Sequence, residues 1–313
     1  MGKILLLAAF FVVAHIGVAE ARGQESVEPP ITVRITQPDQ GLEARDSFFL
    51  ELARQSLEMA LPEEAFSLEL RAEPMRLPQQ RMLRTLQQGD ELDLTWTMTS
   101  AEREARMLPV RLPLLKGLAG YRVLVVRSQD RDRFANMQSA KDFAGLTGGQ
   151  LQDWPDIDIL RANNLEQISA LTLDQLYQLL RAGRIDYVLR GITEVAIEQQ
   201  IYDFSGLETM RSPVLRYPAP IYFFVTPQRP ELAELLGYGL RKLHQSGGLE
   251  QLHRTHPNTA PWFSDASLWQ DRHFIDLENP DLKTPSDWQQ TNLWFNPEAL
   301  VQEQASGDKK STD

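Results

Sequence analysis

Most of the chemistry legible in this sequence converges on Arg103. It follows an alternating apolar run, Leu92, Leu94, Trp96 and Met98, whose period of two reads as a strand. Thr99-Ser100-Ala101-Glu102 then reads as a capping box, the Thr99 oxygen taking an amide of the first turn and Glu102 reaching back to the cap. A helix therefore starts at the carboxyl end of a strand, the place where open α/β sheets bind ligands. Helix-start amides favour an anion, and a guanidinium one turn in adds a planar fork suited to a carboxylate. The plainer alternative is an exposed helix arginine, which is how Arg106 reads. Thr99 and Ser100 could offer a hydroxyl and amides to the same anion in addition to capping. Elsewhere the chemistry is sparse. His253 and His256 are the only close histidine pair, have no acidic third ligand at a metal spacing, and read as surface residues. There is no Gly-x-Ser-x-Gly, no phosphate loop and no dinucleotide fingerprint. The expectation is a protein with no metal, no cofactor and no catalytic residue.

The elements that must position Arg103 occur twice. Leu86-x-x-Gly89 followed by Asp93, and Leu180-x-x-Gly183 followed by Asp186, are two loose copies of one helix-glycine-strand unit, with glycine supplying the left-handed residue past a helix end. The second copy has its own cap, Thr172 with Gln175, and an apolar stripe of Leu173, Leu176, Tyr177 and Leu180. A chain of 313 residues exceeds what one core usually serves, so two similar lobes with a cleft between them are expected. Strands are placed at 31–36, within 66–72, and at 123–127, 184–190 and 221–226. Helices are placed at 47–60, 78–88, 139–145, 193–201 and 230–245, with a loop at 148–156. The chain should cross out through 112–121, where Pro113, Gly117 and Gly120 interrupt an apolar run, and cross back around 213–220. That assigns 31–114 and 218–300 to lobe one and 115–217 to lobe two. The stretch 257–300 holds four of the six tryptophans, Trp262, Trp269, Trp288 and Trp294. It reads as an irregular arm packed on lobe one, or as a lid or partner surface; residues 301–313 read as a disordered tail.

Residues 1–21 read as a signal peptide: Lys3, an apolar core at 4–18 and Ala19-Glu20-Ala21 as a cleavage site. With no cysteine anywhere, a lipid-modified cysteine, disulfides and thiolate sites are excluded. The formal net charge of −11 argues against nucleic acid, which needs a basic face. The expectation is a periplasmic, soluble monomer.

In their order these motifs resemble the type II periplasmic solute-binding proteins, close to family 3 of the bacterial extracellular solute-binding proteins. That family reads Leu-x-x-Gly-x-x-Asp, a strand, Thr-x-x-Arg and a hydrophobic crossing, matched here by Leu86 to Gly89, Asp93, Ser100 to Arg103 and 112–127. Its second lobe reads Gly-Arg-x-Asp-Ala, matched by Gly183-Arg184-Ile185-Asp186-Tyr187. The resemblance spans roughly 31–256. It implies an α/β fold of two lobes, each a central sheet flanked by helices and joined by two hinge crossings. It also implies a small carboxylate-bearing solute, an amino acid or related organic acid, held in the cleft by Arg103 and delivered to an ABC permease. A sensor's ligand-binding partner, or a periplasmic dehydratase with Glu194 as its acid, is the alternative; a solvated helix start also explains Glu194.

The pocket departs from the family pattern. The position that usually carries an acidic partner for the ligand's ammonium is Gly191, and its neighbour is the cation Arg190. Arg190 either faces the cleft and favours a second acidic group, or is a salt-bridged rim residue. Asp153 or Asp156 could still pair an amine. Trp154 either narrows the pocket or is buried under its loop. Trp96 and Met98 either line a less polar pocket or pack in the core.

Overall fold

A β-α-β-α-β run opens the fold. In the computed structural model, which describes residues 30–36, 43–62, 65–71, 79–282 and 293–310, its elements are β1 (Ile31–Thr36), α1 (Glu43–Glu58), β2 (Phe66–Arg71), α2 (Gln79–Gln88) and β3 (Leu94–Met98). The expected signal segment, Pro78 and Trp288 lie outside the described residues. β1 lies between β2 and β3 and is parallel to both. After α3 (Ala101–Arg106) and β4 (Leu108–Val110) the chain crosses to a second sheet. There it forms β5 (Tyr121–Arg127), α4 (Arg131–Ala135), β6 (Thr147–Leu151), α5 (Asp156–Ala162), β7 (Glu166–Ala170), α6 (Leu173–Arg181), β8 (Tyr187–Gly191), α7 (Val195–Ile201) and β9 (Leu207–Arg216). It returns through β10 (Ile221–Val225), α8 (Pro230–Gln245) and α9 (Gly248–Thr255), then continues as α10 (Ala260–Ser264), β11 (Phe274–Asp276) and α11 (Pro297–Lys310).

The sheet orders are β2-β1-β3-β10-β4 and β11-β9-β5-β8-β6-β7. In each, three parallel strands are followed by an antiparallel strand that has just crossed from the other lobe: β10 beside β3, and β5 beside β8. The two helix-glycine-strand copies occupy equivalent places in these sheets. The Asp93 carboxylate accepts the Arg34 amide at 2.8 Å while its own amide donates to the Arg34 carbonyl. The Asp186 carboxylate accepts the Thr147 amide at 2.8 Å while its amide donates to the Thr147 carbonyl. Gly89 and Gly183, at φ 76° and 66°, turn the chain into both latches. The repeated aspartate is thus a strand-pairing device, which satisfies amides that the parallel ladder leaves over.

Several elements were not legible in the sequence. β9 contains Arg211 and Pro213, and it pairs with β5 through a bulge between Val123 and Val125; a proline inside a strand is tolerated at such an irregularity. β6 falls at the start of the expected loop 148–156, because Gly148 and Gly149 hide its pattern, and β7 lies where the sequence shows no element. Those glycines are required by close packing, since a Cβ on Gly149 would lie 2.5 Å from the Ile185 side chain. The arm is more regular than expected: β11 pairs with β9 and so joins the second sheet, and the tail expected to be disordered is helical from Pro297 to Lys310. His253 is corrected too. It is fully buried rather than on the surface, with its ring nitrogens 2.7 Å from the Leu249 carbonyl and 2.8 Å from that of Leu114. Burial holds its pKa down to about 4, although both carbonyls favour the proton.

Candidate ligand cleft

Arg103 is carried by the turn from β3 into α3. The cap differs from expectation by one residue: Ser100, with extended backbone, accepts the Arg103 amide at 3.3 Å and is the N-cap. The Thr99 hydroxyl instead donates to Glu104 at 2.6 Å, and the Thr99 amide donates to the Pro220 carbonyl. The helix has only six residues, and the capping oxygen is taken up within it, so the concentrated positive charge at this junction is that of the Arg103 side chain.

That side chain is 7% exposed. Nη1 donates to Thr97 Oγ1 and to the Met98 carbonyl, both at 2.7 Å. Nη2 donates to Gln79 Oε1 at 2.5 Å and to the Asp153 carbonyl at 3.1 Å. All four acceptors are neutral, and among the described residues no carboxylate lies within salt-bridge range. Burial lowers the guanidinium pKa to about 10, although the charges of Asp156, Glu102 and Asp153 work against it. A buried cation without an ion-pair partner is costly. The Asp153 carbonyl belongs to the loop after β6, so Arg103 also joins the two lobes directly.

The second lobe carries a closed charge network beside the Asp153 loop. Arg190 is 2% exposed. It donates from Nε to Glu198 at 2.7 Å, from Nη2 to Glu194 at 3.1 Å and again to Glu198. Its guanidinium lies over the Trp154 ring, 4.4 Å from the centroid. The Tyr177 hydroxyl donates to Glu198 at 2.8 Å. Arg122, one strand over, pairs with Asp156 at 2.8 Å, and the Tyr217 hydroxyl donates to the same carboxylate. Burial together with the Glu198 charge pushes the Tyr177 phenol up, and burial does the same to Tyr217. Both phenols therefore stay neutral donors.

Gly191 explains how the network closes. Its amide donates to Glu194 Oε2 at 3.2 Å, and a Cβ there would lie 2.6 Å from that oxygen. The absent side chain leaves the space into which Glu194 folds. A carboxylate thus stands at this position after all, supplied from three residues downstream.

No protein-family model matches the sequence, and no curated protein is similar to it in sequence. Solved structures do match the fold. An ancestral arginine-binding protein bound to arginine aligns with a TM-score of 0.53 at 15% identity, over 73% of this chain and 99% of that one. A histidine kinase sensor domain with similarity to periplasmic binding proteins gives 0.52 at 16%, over 73% and 97%. The substrate-binding protein of an amino acid ABC transporter gives 0.51 at 13%, over 72% and 99%. The chain has the type II periplasmic binding protein fold.

On this binding-protein fold the expected site residues separate into two groups and an outlier. Arg103, Met98 through its carbonyl and Asp153 through its carbonyl meet where the two lobes touch, with Ser100 capping the helix that carries Arg103 and Thr99 bonded to Glu104. Trp154, Arg190 and Gly191 meet in the second-lobe network, and Asp156 belongs to its Arg122 half. Trp96 is the outlier, stacked at 5.2 Å on Phe49 of α1. Met98 itself packs in the cluster that contains Leu124, Tyr217 and Ala219 of the second lobe and its return crossing. Gln79, Thr97, Arg122 and Glu198 escaped sequence reasoning. Glu198 had a signal, since it lies eight residues after Arg190 and one turn after Glu194 on a helix. Gln79 had none, because its contact with Arg103 spans 24 positions.

Proposed function

We propose that this protein is an extracytoplasmic solute-binding protein. It captures a small carboxylate-bearing solute, an amino acid or a related organic acid, between its lobes and delivers it to an ABC permease. The observation that carries this reading is Arg103, a buried guanidinium at the interlobe contact whose bonds among the described residues all go to neutral oxygens. Thr97 and the Met98 carbonyl fix Nη1 on its own lobe. The acceptors on Nη2 come from elsewhere, namely the start of α2 and the second lobe. A solute carboxylate would replace these neutral acceptors with an anion on the guanidinium fork, adding a charge-charge attraction that they do not supply. Differential affinity for the closed form would then shift the lobes together.

The second-lobe network limits the solute. Arg190 is committed to Glu198, Glu194 and Trp154, which argues against a second acid group bound there. Glu194, the acid that a dehydratase would use, is an ion-pair member bonded to Arg190 and the Gly191 amide, so binding is favoured over turnover. A second reading, a ligand-sensing partner of a membrane receptor, is supported by the sensor-domain likeness and by the direct Arg103 to Asp153 contact, which lets the closed shape exist without a solute.

A thermal-shift screen against amino acids, dicarboxylates, keto acids and small aromatics, repeated with Arg103→Met, tests the proposal. A micromolar solute at millimolar concentration stabilises by about 4 kcal/mol, or about 8 °C at about 2 °C per kcal/mol. The expected result is a shift lost in the variant. A shift that survives it would move the site away from Arg103, and no shift with any solute would refute solute capture.

A further inference from the structure

Both hinge crossings are gripped by the same piece of chain. On the outgoing crossing, Lys116 and Gly117 take left-handed conformations, φ 49° and 79°. The Lys116 carbonyl accepts the Phe295 amide at 2.8 Å. The Trp294 ring lies on Gly117 so closely that a Cβ there would be 2.0 Å from Cε3. On the return crossing, the Pro218 carbonyl accepts Asn279 Nδ2 at 2.8 Å. Arg216, at its start, pairs with Asp276 at 2.6 Å and with Glu298 at 2.8 Å.

The gripping segment is itself anchored to each lobe. On one side, the Phe263 ring packs on His253 of α9, at 4.5 Å between centroids. On the other, β11 runs parallel to β9, Phe274 to Asp276 against Val214 to Arg216. Glu278 and Asn163 exchange a reciprocal pair of hydrogen bonds at 2.7 and 3.0 Å. A change of interlobe angle turns backbone within the two crossings, 111–120 and 217–220, where Lys116, Gly117 and Pro218 offer the carbonyls and surface that this segment occupies. The binding-protein neighbours are covered almost whole by about three-quarters of this chain, so the fold does not require an extra segment of this length.

We propose that the C-terminal arm is a hinge brace. While docked, it holds both crossings at one angle and keeps the ligand-free lobes closed; opening requires its release from the crossings. This goes beyond solute binding and holds whether or not a solute is found.

The test uses the full chain, whose lack of cysteine permits two nitroxide labels at Glu102→Cys and Asp158→Cys, exposed positions on opposite lobes. Interlobe distances are measured by pulsed electron resonance without solute, with circular dichroism as the control for folding. The native arm should give one narrow distance. Trp294→Ala should add a second, longer one. If that variant does not fold, Asn279→Ala combined with Glu298→Gln decides, because it removes the side-chain bonds to the Pro218 carbonyl and to Arg216 and leaves the aromatic packing of the arm in place. A native chain already populating two distances, or a folded variant whose distribution superimposes on the native one, overturns the brace.

Discussion

Arg103→Met and Arg122→Met should move stability in opposite directions, although both remove a guanidinium that is 7% exposed. Burial holds the Arg103 pKa down to about 10, roughly 2.5 powers of ten below its ordinary value. At 1.36 kcal/mol per power of ten, keeping that charge costs the folded protein about 3 kcal/mol. The sign follows from the group being a base with a lowered folded pKa. Near neutral pH both states carry the proton, the folded state bears the penalty, and methionine removes it while keeping the stem. Against this stand the acceptors left behind. Gln79 and the Asp153 carbonyl are partly exposed and can turn to water, but Thr97 and the Met98 carbonyl are buried, at about 1 kcal/mol each. The balance is a ligand-free protein more stable by about 1 kcal/mol, or about 2 °C. Arg122→Met instead strands Asp156, 2% exposed, and should cost about 3 to 5 kcal/mol. Scanning calorimetry and urea unfolding of both variants are the assay. A loss of 3 kcal/mol or more for Arg103→Met would refute the reasoning, because it would make Arg103 a structural clamp rather than a cation kept for a ligand at the expense of stability.

Other perturbations probe the surroundings. Gly191→Ala should swing Glu194 away from Arg190 and cost about 1 kcal/mol, seen as a lower urea midpoint at unchanged slope; an unchanged midpoint would mean that Glu194 does not need that space. Asp93→Asn should cost about 3 to 5 kcal/mol, since Asp93 is fully buried between Arg34 and Arg229. Asp186→Asn, with its carboxylate 27% exposed, should cost about 1 kcal/mol, and equal losses would contradict the burial argument. The neutral, buried His253 should make stability depend on acid. Its folded pKa of about 4 lies below the unfolded value of about 6.5, so its contribution is present above pH 6.5 and lost as pH falls through 4, about 3 kcal/mol in all. His253→Gln should flatten that part of the pH profile, and a profile unchanged by the substitution would assign the slope to other groups.

Much of the architecture is legible in the sequence. The paired signals at Gly89 with Asp93 and Gly183 with Asp186 are local, since a left-handed glycine and a strand-initiating aspartate act within a few residues, and both latches are where the spacing placed them. The long helix from Pro230 was legible end to end because its proline start and apolar stripe are periodic. β6 and β9 were obscured where glycine, arginine and proline interrupt the alternation, and β7 because Ile168 is its one large apolar residue. Their strand character comes from the neighbours that complete their ladders.

What the sequence by itself determined is therefore the local grammar: where helices start and stop, that a repeated unit builds two lobes, and that a cation stands at a strand-to-helix turn. Tertiary structure decided which charges are already paired. Nothing in the order of residues distinguishes Arg103, Arg122 and Arg190, each an arginine among polar and apolar neighbours. Only packing shows that Arg122 and Arg190 are neutralised, by Asp156 from 34 positions away and by Glu198 from the next helix, while Arg103 is buried against carbonyl, amide and hydroxyl oxygens. The energy of a charge depends on what surrounds it within a few ångströms, and those surroundings are assembled from segments far apart in the chain. The same holds for the arm: its tryptophans were visible as a composition, but their grip on the hinge depends on glycine and carbonyl positions that come together only in the folded molecule.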